Sequence, residues 1–149
     1  MKTLRQTLLL LLIVVLAFSC EPACSCDPVV KSPLKGDWQL TRITYGLTQK
    51  TVTAAEAGYT ETLSFTSYES RGTYRQTRNG LPINSGNYSL LFPNGGNTEG
   101  RVLYQMSNQQ ETFEQSFKLE ENNRRLIMTE RKPLTVAIAD GSTYEYRRQ

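Results

Sequence analysis

The strongest constraint on this chain is a period of two. From Lys35 onward, apolar side chains alternate with polar ones instead of recurring every three or four residues. Alternation sends successive side chains to opposite faces, the mark of strands with one face buried. In a first strand, 37–45, Trp38 and Leu40 share one face while Ile43 and Tyr45 share the other, which predicts a bulge or sharp bend near Thr41. Further strands follow at 59–66 (Tyr59, Leu63, Phe65 in phase), 71–78, 85–92 (Tyr88, Leu90, Phe92) and 101–107 (Val102, Tyr104, Met106). The last three lie at 112–119 (Phe113, Phe117, Leu119), 124–130 and 143–148. Turn residues separate them: Asn79-Gly80, with Pro82 keeping that turn irregular, then 93–97, 108–110, 121–123 and Asp140-Gly141. Residues 136–139 are expected to extend the exit of the seventh strand or to pair briefly. One stretch reads as helix, between strands one and two: Thr53 as cap, an alanine-rich interior, Glu56 three residues after the cap, and Gly58 as terminator.

Eight strands joined by hairpins make an up-and-down antiparallel sheet. Such a sheet either leaves two vulnerable edges or closes. Eight is the number at which a barrel closes with room for side chains or one small ligand. The expected fold is therefore all-β: an eight-stranded antiparallel up-and-down barrel over residues 34–149, with one short helix.

The N-terminus reads as an address. Lys2 and Arg5 precede an unbroken apolar run from Leu8 to Phe18. That run is short for a bilayer span and suits a signal-peptide core. It ends in Leu16-Ala17-Phe18-Ser19-Cys20, which resembles the lipobox of bacterial lipoproteins. The resemblance implies removal of residues 1–19 and acylation of Cys20 by fatty chains such as palmitate. Lipid anchoring is physically sensible, since each buried methylene contributes roughly 0.8 kcal/mol and several chains hold where one does not. Residues 20–33 read as a tether, with Glu21-Pro22, Asp27-Pro28 and Ser32-Pro33 favouring an extended spacer. In these lipoproteins Asp after the Cys often signals inner-membrane retention; here Glu21 follows, so the expected address is the cell envelope, at the outer membrane. Two of the 17 basic residues leave with the signal while all 14 acidic ones stay, so the net charge drops from +3 to +1. That charge gives no support for a nucleic-acid partner. Cys24 and Cys26 lie in the tether, either able to pair with another chain in an oxidising envelope or without a dedicated role.

Gly36-Asp37-Trp38 at the start of strand one resembles the first-strand signature of the lipocalin superfamily. The closing segment, 140–148, resembles the last strand of bacterial lipocalin-like lipoproteins. The resemblance implies that Gly36, Trp38 and an arginine of the last strand form a structural signature at the closed end of the barrel. Alternation puts Tyr144, Tyr146 and Arg148 on one face, so Arg148 is the expected partner of Trp38, with Arg147 the alternative if the register slips. The domain is shorter than a typical lipocalin, which argues against a deep, enclosed pocket.

Catalytic chemistry has little to work with. The chain has no histidine, which excludes His-based triads, imidazole–zinc sites and His proton shuttles. Its three cysteines all precede the domain. No nucleophile elbow, S-x-x-K, P-loop, dinucleotide fingerprint or EF-hand spacing occurs. No enzyme activity, cofactor or metal is expected. Tyrosine is the distinctive population, eight in all; its apolar ring and polar tip suit a cavity for an amphipathic ligand, and equally suit an ordinary half-buried strand. If a ligand binds, Phe65, Tyr88, Tyr104, Phe117 and Tyr144 are the expected lining. Two functions follow: a lipid-anchored barrel binding a small hydrophobic or amphipathic ligand, or the same barrel as a non-catalytic structural or protein-interaction module at the membrane surface.

Overall fold

The computed structural model describes residues 32–149 apart from Tyr68 and Asn108. The signal segment, Cys20, Cys24, Cys26 and almost all of the tether lie outside the described residues. Ten strands follow in order: β1 (Gly36–Thr44), β2 (Thr51–Thr53), β3 (Glu61–Phe65), β4 (Arg71–Arg78), β5 (Leu81–Leu91), β6 (Glu99–Met106), β7 (Thr112–Glu120), β8 (Arg125–Thr129), β9 (Lys132–Pro133) and β10 (Thr143–Arg148). Neighbouring strands β3 to β8 pair antiparallel in chain order, β1 pairs with β3, β8 with β10, and β10 returns to β1. Eight strands thus close a barrel. The short β2 and β9 are additions, pairing with the end of β1 and the start of β7.

Closure depends on small irregularities that the sequence carries. The β1–β10 register shifts between Leu40 and Arg42, and the Thr41 hydroxyl donates to the Glu145 carbonyl at 3.0 Å. That bulge brings Leu40 and Ile43, which are out of phase in sequence, both into the core. At the β4–β5 hairpin Asn79 and Gly80 take φ of 50° and 79°, the left-handed pair a two-residue turn demands. The ladder there skips between Gln76 and Thr77, opposite Pro82, which has no N–H to donate.

Two local expectations are corrected. Residues 53–58 form no helix. The capping box does form, with the Glu56 carboxylate accepting from the Thr53 amide at 2.7 Å and the Thr53 hydroxyl accepting from the Glu56 amide at 3.2 Å. But the turn stops after Gly58, whose φ is 78°; one turn cannot offset the cost of helix nucleation. Residues 136–139 join no strand; the pairing after β8 is made earlier, by Lys132 and Pro133 against β7.

The two ends of the barrel differ. β1 enters at one end, where Leu34 and Trp38 are fully buried and the Trp38 indole donates to the Leu34 carbonyl at 2.7 Å. The Arg148 guanidinium lies over the Trp38 ring, 4.6 Å from its centroid, and is held by the Pro33 and Asn123 carbonyls. Gly36 takes φ of 122°, a conformation a side chain at this corner would resist. Above this plug the interior is packed by Leu63, Phe65, Tyr88, Val102, Phe117, Leu126 and Met128, each no more than 4% exposed. Edge-to-face pairs, Phe65 on Tyr88 and Phe92 on Phe117, lock that packing.

Candidate functional site

The opposite end remains open. Between the ends of β3, β4, β5, β6, β7 and β10 and the segment after β8 lies a cavity of about 450 Å³. Ile83, Met106, Phe113 and Tyr144 give it apolar walls, while Glu61, Gln76, Arg78, Gln115, Arg131 and Tyr146 give it a polar floor. Each floor residue on a strand occupies an inward position by alternation. Glu61 shares the phase of Leu63 and Phe65, Gln76 and Arg78 that of Tyr74, and Gln115 that of Phe113 and Phe117.

Glu61 organises the floor. It is 2% exposed, which a carboxylate tolerates only when its oxygens are satisfied. One oxygen accepts from the Tyr146 hydroxyl and the Gln76 amide, both at 2.8 Å. The other accepts from the Arg78 guanidinium at 2.8 Å. The Arg78 pKa is raised, chiefly by this bond, and its guanidinium also covers the Tyr59 ring. Burial, and then the Glu61 charge, push the Tyr146 pKa well above the ordinary tyrosine value. A second relay runs from the Tyr104 hydroxyl to the Gln115 amide oxygen at 2.9 Å and from the Gln115 nitrogen to the Thr129 carbonyl at 2.6 Å. Burial raises the Tyr104 pKa to about 12, against the opposing charge of Arg131.

Arg131 enters the cavity from the segment that follows β8. Its guanidinium stacks over Tyr104, 4.0 Å from the ring centroid, and over Tyr74 at 5.3 Å. Its Nε is buried and has no hydrogen-bond partner, as has the Tyr74 hydroxyl. No carboxylate of the described residues comes within ion-pair distance of it.

The expected residues fall in three places. Gly36, Trp38 and Arg148 form the closed-end plug, with Arg148 rather than Arg147 facing the indole; Arg147 pairs outward with Glu121. Of the five expected lining residues, Tyr144 lines the cavity and Tyr104 lies beneath it, under Arg131. Phe65, Tyr88 and Phe117 pack into the filled part of the barrel, away from this cavity, whose lining is more polar than the expected set; Tyr88 and Tyr104 also border a depression of about 590 Å³. Cys20 lies outside the described residues. Sequence reasoning missed Glu61, Gln76, Gln115 and Arg131. The first three carried a readable signal: a polar residue at a phase otherwise occupied by core side chains. Arg131 had none, because it sits outside the regular strands.

Two further depressions, of about 590 and 760 Å³, lie on the outer face of the sheet, among outward-pointing residues such as Thr73, Asn87 and Gln105. Among the described residues no cluster of three or more Cys, Asp or Glu is placed to hold a metal.

No protein-family model matches the sequence, and no curated protein matches it. Solved structures do align with much of the chain. A Schistosoma mansoni fatty acid binding protein in complex with arachidonic acid aligns over 80% of this chain and 98% of its own, at 11% identity and a TM-score of 0.46. Lipid binding protein 8 of Caenorhabditis elegans, in its apo form, aligns over 78% and 96% at 14% identity and a TM-score of 0.43. Rv2717c from M. tuberculosis aligns over 79% and 94%, also at 14% and 0.43. Likeness at this level concerns the fold and carries nothing about the ligand of this chain.

Proposed function

We propose that this protein is a lipid-anchored lipoprotein of the cell envelope, held at the outer membrane through Cys20, whose barrel binds a small amphipathic ligand at its open end. The observation that carries the binding reading is the uneven filling of the interior. Side chains fill the barrel around Trp38, then give way to a cavity of about 450 Å³ with apolar walls and a polar floor. That volume and that mixture fit a small-molecule site. Tyr144 contributes to the wall and Tyr104 supports the floor. The role is binding rather than catalysis.

The position of the cavity is consistent with anchoring. The chain enters the barrel at the closed end, so a tether ending at Cys20 leaves the mouth at the far end of the domain. A ligand would then arrive from the aqueous side. A second reading, a protein-interaction module, is favoured by one feature. Of the large apolar side chains exposed among the described residues, all but Leu91 lie around the mouth, including Leu47 (84% exposed), Leu81 (69%) and Leu134 (51%).

The test has two parts. The purified full chain, extracted with organic solvent, should release a small molecule identifiable by mass spectrometry, and a panel of amphiphiles should raise its melting temperature. No released molecule and no thermal shift would leave the interaction reading in its place. Metabolic labelling with a clickable fatty acid should mark the wild-type protein and fail on Cys20→Ser; equal labelling of both would end the anchoring proposal.

A further inference from the structure

The formal charges lining the open cavity balance, Glu61 and Glu130 against Arg78 and Arg131, but they are not all paired with one another. Glu61 is engaged by Arg78, Gln76 and Tyr146. The Glu130 carboxylate accepts from the Ser142 amide at 2.9 Å. Glu114, near the rim, pairs with Lys132 and Arg101, and the Lys132 bond is the main cause of its lowered pKa. Arg131 alone among the described cavity-lining cations has no such acid partner. Its guanidinium carbon lies 4.0 Å from the Tyr104 ring centroid and 5.3 Å from that of Tyr74, and its buried Nε–H has no hydrogen-bond partner.

A second orphan lies close by. The Tyr74 side chain is 2% exposed and its hydroxyl has no partner, and its ring is one of the two that Arg131 covers. Two buried polar groups, neighbours and both unsatisfied, are unusual in a folded interior. A guanidinium edge presents Nε–H beside a terminal N–H, the spacing that accepts a carboxylate side-on with two hydrogen bonds. Next to it stand Met106, Phe113 and Ile83, apolar surface for a short tail.

We propose that Arg131 is the anchor for the ligand's head group, and that the ligand class is a small amphipathic carboxylate whose tail lies against Ile83, Met106 and Phe113. The inference rests on the binding reading above and sharpens it.

The experiment titrates the full chain at pH 7 and low salt with sodium octanoate, octan-1-ol and octyl phosphate, which share a tail and differ in head, using calorimetry. Wild type should bind octanoate at least tenfold more tightly than octan-1-ol, and more tightly than octyl phosphate. Arg131→Gln should cut octanoate affinity at least tenfold, leave octan-1-ol within about twofold, and erase the preference; Arg131→Lys should restore part of it. Circular dichroism melting confirms that both variants fold. Equal binding of octanoate and octan-1-ol, or an unchanged octanoate affinity in Arg131→Gln, overturns the anchor while leaving the cavity reading intact. Tighter binding of octyl phosphate than octanoate overturns the carboxylate assignment. Failure of all three probes to bind overturns the cavity reading and the anchor with it.

Discussion

Trp38 and Glu61 sit in the same barrel and are both almost completely buried, yet they hold it in different ways. Around Trp38 the interior is close-packed and nearly all apolar: one indole, its carbonyl partner at Leu34, and the Arg148 guanidinium laid across the ring. Around Glu61 it is a network of hydrogen bonds bordering open space. Packing of the first kind stabilises and leaves nothing to bind with. A polar network of the second kind contributes less stability for the area it covers, but it presents donors and acceptors to whatever enters. On the proposed function, the division of labour runs along the barrel axis, with stability concentrated at the end the chain enters and recognition at the other.

The sharpest way to break this comparison is at the plug. Trp38→Ala should cost about 4 kcal/mol, the range for emptying a large aromatic site, measured by urea unfolding; a loss under about 1 kcal/mol would mean that the closed end is not the structural anchor. Glu61→Ala should cost less, about 2 kcal/mol, by stranding the Tyr146 hydroxyl while Arg78, 43% exposed, turns to solvent. If it costs as much as Trp38→Ala, the contrast between the ends fails.

The two buried tyrosines give the comparison a pH signature. Tyr146 and Tyr104 both hold their protons above the ordinary tyrosine value of 10.0, Tyr104 up to about 12. The unfolded chain releases those protons near pH 10 and the folded chain does not. Their stabilising contribution is therefore complete below pH 10 and is lost as pH rises towards 12 and beyond. Chemical denaturation from pH 9 to 12 should show falling stability across that window, and Tyr146→Phe should flatten the fall. A curve unchanged by the substitution would place the cause elsewhere.

The sequence made the architecture readable because alternation is a direct physical consequence of one buried face. The strand at 143–148 and the hairpin at Asn79-Gly80 fall where they were expected. The conflict between Leu40 and Ile43 foretold the bulge, since only a register shift brings both inward. The alanine-rich turn misled because caps and propensity announce where a helix starts, not whether it is long enough to persist. β2 and β9 were invisible: three and two residues carry no period. The cavity is more polar than the expected lining. Aromatic residues at inward phase drew the attention that Glu61, Gln76 and Gln115, polar at the same phase, should have shared. Arg131 could be found only once the fold had laid it over Tyr104.

The smallest effects on stability should come from the residues most exposed to the mouth. Leu47→Ser, at a position 84% exposed, should change unfolding free energy by less than about 0.5 kcal/mol. A large loss there would mean that the rim is part of the structural core and not a border around a site.

The central claim is that a ligand occupies one end of this barrel and leaves the other untouched. Methyl-labelled full-length protein titrated with sodium octanoate tests it most directly, since Ile83 and Met106 line the cavity while Leu63, Leu126 and Met128 lie in the packed interior. The expected result is saturable NMR shifts at Ile83 and Met106 with Leu63, Leu126 and Met128 unmoved. Shifts centred on Leu63 and Leu126, or none anywhere at saturating probe, would contradict it.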